Sequence, residues 1–395
     1  MRPPHHTLNR QQVHRSATTH LQGHVPLRDY KRKVTAPTLW AVLLTAAAAT
    51  SSIHAACQRL AGLPAEETIR KALYASLPEF AELQRQLNRA LAGRLPKALR
   101  RRPQRLAIDL TLIPYHGKPF RDPSEVDRGQ AKDGTSPFHA YATAYGVKHG
   151  QRYTVALTGV ARGEPLKDVV QRLLRQAAQV GVRPRLLLLD RGFYSVAVSR
   201  YLQRARYPFL MPVVCHGRSP RQPGGPTGSY VFRTWKTGGW SEYTLRDAKK
   251  RPATVRICVK CRNRRGERGR HGREALVYAY WGYRPPSPEA VFTTYRLRFG
   301  IESSYRQMHE GRVRTTTRRP EVRLLYAGIA LVLRNLWVWL HYTILSRPRR
   351  GGREILLERL RWETLLLWLL HVAEALFGVA DATFTERDVE YELAG

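Results

Sequence analysis

Three carboxylates stand apart in a chain that is otherwise strongly cationic: Asp109 in RLAIDLTLIP, Asp190 ending RPRLLLLD, and Glu302 in TTYRLRFGIESSYRQMHE. Asp109 interrupts a run of Leu106, Ile108, Leu110, Leu112 and Ile113 that reads as a buried strand, and a carboxylate in such a place requires a partner. Asp190 closes a continuous apolar strand, and in open α/β sheets ligands gather beyond the carboxyl ends of such strands. Tyr295, Arg298 and Glu302 recur at i, i+3 and i+7, so they share one helix face, with His309 two turns further on. Taken singly, Asp190 is equally a helix cap and Glu302 half of a surface ion pair. Brought together, three carboxylates repel one another unless cations join them. Two hard divalent ions about 3.5–4 Å apart would remove that repulsion and support in-line attack on phosphorus. The donors are oxygens, so Mg²⁺ is the expected metal, two ions per site, with Mn²⁺ as a substitute.

The elements around these acids follow from hydrophobic period. A strand at about 105–114 carries Asp109, a Gly- and Asp-containing loop fills 117–136, and strands at 138–147 and 152–160 meet at a turn on His149 and Gly150. A helix at 165–180 ends at Gly181, the strand to Asp190 follows, and Arg191, Gly192, Phe193 and Tyr194 lead into a helix at about 195–206. Residues 208–285 are expected as a β-rich insertion of five strands, FLMPVVCHG, SYVFRTW, EYTLRD, ATVRICVKC and ALVYAYWGY, separating Asp190 from Glu302. The apolar runs at 324–345 and 364–380 contain Arg334, Asn335, His341, His371 and Glu374; they are expected as buried core helices, with no membrane involved. Upstream, residues 1–37 are poor in apolar side chains and are expected as a disordered basic arm. Residues 38–104 are expected as a small all-helical DNA-binding domain with a basic linker, KALRRRPQR. Its apolar positions, Ile69, Leu73, Leu77, Phe80, Leu83, Leu87 and Leu91, fall three and four apart, and Pro64 and Pro78 break it.

Composition narrows the partner. The 395 residues hold 67 Lys and Arg against 30 Asp and Glu, a formal charge of +37, far beyond what solubility requires. A polyanion that gives up condensed counterions is the natural complement, and nucleic acid leads. In the insertion, basic turns such as RNRRGERGRHGR at 262–273 alternate with Trp235, Trp240 and Trp281, a pattern suited to gripping backbone and stacking on an unpaired base. Any one of these tryptophans, taken singly, reads as a core residue before it reads as a stacking platform. Four cysteines are too few for a disulfide framework in a chain of this size. Cys258 and Cys261 form a lone C-x-x-C within a strand-like alternation, so no zinc site is expected there with His271 or His216. LWAVLLTAAAA at 39–49 with HAAC imitates an export signal, but it lies behind a His- and Arg-rich stretch. Export is therefore rejected in favour of a cytoplasmic, nucleoid-associated location.

The spacing Tyr-x2-Arg-x3-Glu at Tyr295, Arg298 and Glu302, with Asp109 in IDLT and Asp190 in LLLDRGFY, resembles the DDE transposases of prokaryotic insertion sequences, within the insertion-sequence-four superfamily. The resemblance covers about 105–345. It implies a ribonuclease-H-like catalytic domain formed by 105–207 and 286–380, interrupted by the insertion and followed by an acidic tail at 381–395. It also implies an endonuclease active in DNA transposition and recombination that binds terminal inverted repeats, cuts the ends and joins 3′-hydroxyls to target DNA, acting as a homodimer on double-stranded DNA. Asp109, Asp190 and Glu302 are then the catalytic metal ligands, and Tyr295 and Arg298 contact end phosphates. The family places Lys seven residues after the Glu; this chain has His309, and Arg306, Arg312 or protonated His309 would hold the phosphate instead. Arg191, Trp235 and Trp240 complete the expected DNA-facing set, a tryptophan holding a flipped base if a DNA hairpin forms. A metal-dependent nuclease that only hydrolyses, and a DNA-binding protein without catalysis, are the competing readings.

Overall fold

A computed structural model describes residues 8–148, 151–264, 272–350 and 352–381. The expected turn at His149 and Gly150, most of the basic run at 262–273 including His271, and the acidic tail after Asp381 lie outside the described residues.

Six helices precede the first strand: α1 (Arg10–His24), α2 (Ala36–Ala48), α3 (Ile53–Arg59), α4 (Glu66–Ser76), α5 (Phe80–Gly93) and α6 (Lys97–Arg101). The expected disordered arm is corrected by α1. Asn9 and Gln12 form a reciprocal capping box, and Val13, Ala17 and Leu21 are buried along one face. Overall polarity concealed a stripe that i, i+4, i+8 spacing was sufficient to build. The breaks near Pro64 and Pro78 separate α3 from α4 and α4 from α5, as the proline positions require.

Then follow β1 (Gln104–Pro114), β2 (Asp127–Lys132), β3 (Thr135–Gly146), β4 (Thr154–Val160), α7 (Leu166–Gln179), β5 (Pro184–Leu189), α8 (Val196–Arg204), β6 (Phe209–Pro212), β7 (Gly239–Arg246), β8 (Pro252–Arg264) and β9 (Gly272–Trp281). These nine strands join one mixed sheet in the order β2-β3-β1-β5-β6-β9-β8-β7, with β4 also paired to β3. β1 runs antiparallel to β3 and parallel to β5; β5 is parallel to β6, and β9 returns antiparallel beside β6. The block 208–285 is thus a continuation of the sheet that carries the acids, not a layer of its own. Within it SYVFRTW is not a strand: it forms a 3-10 helix, Gly228–Thr234, in which Ser229 and Phe232 turn inward three residues apart. β2, within the expected loop 117–136, is an almost wholly exposed polar strand whose side chains carry no apolar alternation.

The chain closes with α9 (Pro288–Arg296), a 3-10 turn (Leu297–Phe299), α10 (Gly300–Glu310), α11 (Pro320–Leu340) and α12 (Trp362–Phe377). Two compact units result, one of Leu91–Arg306 and one of Met1–Ala90 with Gln307–Gly395. The boundary falls inside the expected catalytic segment 286–380, and residues 38–90 share a unit with α11 and α12. In that unit α11 is the one described helix long and apolar enough to cross a membrane, and 94% of its apolar window is buried inside the protein. Its polar side chains have partners there: Arg334 Nε donates to Gln307 Oε1 at 3.1 Å, and Trp337 Nε1 donates to the Leu360 carbonyl at 2.8 Å.

Candidate active site

Strand register brings the first two acids together. β1 pairs with β5 so that Ile108 lies beside Leu189, which sets Asp109 and Asp190 at the same level where β5 ends. Asp190 makes no capping hydrogen bond of its own; Ser195 Oγ caps α8 instead, accepting from Val198 N at 3.3 Å, so the Asp190 carboxylate is left to the site. Glu302 stands in the first turn of α10, where the helix dipole favours a negative charge.

All three acids meet on one guanidinium. Arg298 Nη1 donates to Asp109 Oδ2 at 2.8 Å, while Nη2 donates to Glu302 Oε1 at 2.9 Å and lies 3.3 Å from Asp190 Oδ1. The side chains grade outward from this centre: Arg298 is 7% exposed, Asp109 14%, Asp190 41% and Glu302 55%. Burial pushes the Asp109 carboxyl up to about 6, and Asp190 adds to the rise, although Arg298 and the Leu110 N–H pull against it. For Arg298, burial acts downward, but the Tyr295 phenol and the three carboxylates outweigh it and raise its pKa.

Tyr305, left without a role by sequence reading, proves central to this arrangement. Its buried hydroxyl donates to the Asp109 carbonyl at 2.8 Å and lies 2.7 Å from Thr143 Oγ1, and Thr143 pairs with Asp109 across β1 and β3. The available signal was Tyr305 at i+3 from Glu302, one turn along the same helix. Glu302 and Asp109 are thereby tied through one residue of α10.

The remaining expected residues divide by environment. Tyr295 is buried, its ring 5.2 Å from that of Tyr278, with the Arg298 guanidinium 5.7 Å from its own ring centre. Burial raises its phenol pKa far above the ordinary value. Arg306 is exposed on α10. His309 ends that helix, half-buried, and Arg312 follows; both belong to the unit containing Gln307–Gly395. Arg191 is exposed and lines a cavity of about 540 Å³ with Val213, Cys215, Arg221, Tyr230 and Arg233. Trp235 is half-buried, edge-on to Phe232 at 5.8 Å, whereas Trp240 is 42% exposed and edge-on to Tyr280 at 5.6 Å. Cys258 is buried on β8, and Cys261, an odd number of residues away and so on the opposite face, donates to the Trp235 carbonyl at 3.3 Å.

Among the described residues no three His, Cys, Asp or Glu side chains stand close enough together to hold a metal as placed. At the acid cluster the Arg298 guanidinium contacts all three carboxylates. The donor chemistry there, three carboxylates with Asp109 buried and strained toward protonation, nonetheless fits a hard divalent ion.

Residues 100–336 match a protein-family model described as a transposase DDE domain, a span that includes all three acids, Tyr295 and Arg298. No curated protein matches the chain.

Proposed function

The chain belongs to the transposase DDE domain family, and from that premise we propose that it is an insertion-sequence transposase of the insertion-sequence-four superfamily. It would bind terminal inverted repeats as a dimer, cut the DNA at the ends and transfer the 3′-hydroxyls to target DNA. The observation that carries the reading is the convergence of Asp109, Asp190 and Glu302, 81 and then 112 residues apart in sequence, on the single Arg298 guanidinium. The order β4-β3-β1-β5-β6, a three-stranded antiparallel run followed by two parallel strands, supports a ribonuclease-H-like core with both aspartates on neighbouring strands.

Asp109, Asp190 and Glu302 would hold divalent ions, Mg²⁺ or Mn²⁺, which would supply activation of a water or 3′-hydroxyl and neutralise the departing oxygen. The chain's own contribution is positioning. Tyr305 fixes the Asp109 backbone, the register of β1 and β5 sets Asp190 beside it, and the α10 dipole favours the Glu302 carboxylate. Exposed Arg306 and Arg191 flank the acids in sequence and are available to phosphate, as is Arg298 once a metal takes over the carboxylates, while buried Tyr295 would support the Arg298 guanidinium beside its ring. Trp240 is the tryptophan of the insertion best exposed for stacking on an unpaired base. The N-terminal helices and the sheet extension β7–β9 are the proposed contacts to the repeat.

Asp190→Ala should abolish DNA cutting while leaving DNA binding nearly intact; normal cutting by this variant would refute the site. Incubating the protein with a pre-cut end, target DNA and Mg²⁺ separates the transposase from a nuclease of the same fold: joined product supports the former, and hydrolysis alone supports the latter.

A further inference from the structure

We propose that Arg298 is a displaceable counter-cation: it holds the three carboxylates together when no metal is present and passes to a DNA phosphate when divalent ions load. Metal and DNA then bind with positive coupling through this one side chain. The inference rests on the three-acid site proposed above.

The geometry supplies the competition. Arg298 contacts one oxygen of each acid, Asp109 Oδ2, Asp190 Oδ1 and Glu302 Oε1, and the Leu110 N–H takes the other oxygen of Asp109. A divalent ion drawn to the same three carboxylates meets a cation already among them, and the two like charges repel. One positive charge against three negative ones leaves the cluster with a net charge of about −2 when all are ionised, so attraction for a divalent ion persists with Arg298 in place. Once an ion takes the carboxylates, Arg298 would be left as a cation 7% exposed, between the rings of Tyr295 and Phe299 at 5.7 and 5.6 Å. A buried cation without an anion is strongly unfavourable, so a new anion is required. A phosphate diester suits a guanidinium fork, and the site opens to solvent on the side of Asp190 and Glu302. Arg298 also sits in the 3-10 turn that joins α9 to α10, a local break in the helix where a small backbone rotation can redirect a side chain.

Reciprocity makes the proposal measurable: the factor by which metal tightens DNA binding must equal the factor by which DNA tightens metal binding. The experiment uses the full chain, calorimetric titration of Ca²⁺, which leaves the DNA uncut, and fluorescence anisotropy of a short DNA duplex at fixed salt. In the wild type, each ligand should tighten the other at least tenfold and by equal factors. Arg298→Gln should bind Ca²⁺ at least tenfold more tightly without DNA and show coupling within twofold of none. Wild-type coupling within twofold of none, Arg298→Gln binding Ca²⁺ no more tightly, or that variant retaining full coupling would each overturn the proposal. If Arg298→Gln does not fold, the wild-type coupling and Arg298→Lys decide: one ammonium cannot span three acids, so Ca²⁺ affinity should rise and coupling shrink, and unchanged values refute the idea. Asp190→Asn in the Arg298→Gln background tests the underlying site separately. Undiminished Ca²⁺ binding there would refute the three-acid reading itself, whatever Arg298 does.

Discussion

Asp109→Asn should stabilise the metal-free protein at neutral pH and do almost nothing in acid. The Asp109 carboxyl moves from an ordinary 3.8 to about 6 because burial outweighs the attraction of Arg298, with Asp190 adding a smaller repulsion. Its folded-state pKa is raised, so the native protein holds the proton more tightly than the unfolded chain. The associated stability is therefore present below about pH 4 and is lost as pH rises through about 6. A shift of about 2 units corresponds to roughly 3 kcal/mol at about 1.4 kcal/mol per unit. The penalty that the amide removes should be roughly 0.5 kcal/mol at pH 4, 1.5 at pH 5 and 3 at pH 7. Urea unfolding of both proteins in EDTA, at closely spaced pH values, measures the difference directly. A difference that stays flat with pH, or a variant less stable than wild type at pH 7, would refute the account of Asp109 as a destabilised buried acid. The variant should also be unable to cut DNA, the expected relation between stability and activity at a site under electrostatic strain.

Tyr305→Phe removes the hydroxyl that joins the Asp109 carbonyl to Thr143. It should lower stability by about 1–3 kcal/mol and slow DNA cutting roughly tenfold or more at unchanged DNA affinity; unaltered cutting would remove Tyr305 from the positioning apparatus. Trp240→Ala, at an exposed site on β7, should change stability by no more than about 0.5 kcal/mol. It should weaken single-stranded DNA binding by about 1–3 kcal/mol, read by anisotropy, and unchanged affinity would exclude it as a stacking platform. Leu21→Ala, at a fully buried position of α1, should destabilise the chain by about 2–5 kcal/mol in thermal or urea unfolding. A neutral result would return residues 10–24 to the status of a dispensable arm.

The acids were legible because each broke a local pattern: Asp109 in an apolar run, Asp190 at the end of one, Glu302 on a face with Tyr295 and Arg298. What stayed hidden was set by non-local pairing. Nothing in FLMPVVCHG or ALVYAYWGY states that β6 pairs with β5 on one side and β9 on the other, so the block read as an insertion and its place in the same sheet stayed hidden. SYVFRTW has strand-forming residues, yet the inward contacts of Ser229 and Phe232 impose a period near three, a tertiary preference overriding propensity. Tyr295, Arg298 and Glu302 were expected on one continuous helix face, whereas the structure interrupts it, with Tyr295 in α9, Arg298 in a 3-10 turn and Glu302 in α10. Arg298 turns inward there, where its one guanidinium contacts all three carboxylates, while Glu302 stays 55% exposed.

That inward turn explains why the exposures are graded. Asp109 is fixed from three sides, by its place in β1, by the Leu110 N–H and by Tyr305 on its carbonyl, and it bears the desolvation that burial imposes. Asp190 and Glu302 are held mainly through Arg298 and remain open to solvent, one at a strand end and the other in the first turn of α10. An ion entering from solvent would therefore meet the two exposed acids before Asp109. The strained acid offers the greater gain on receiving a cation, since its ionised form is the one the fold disfavours. If these acids hold the proposed ion, loss of Asp109 should weaken Ca²⁺ binding in calorimetric titration more than loss of Asp190 or Glu302, each of which should weaken it as well; equal losses would refute this ranking.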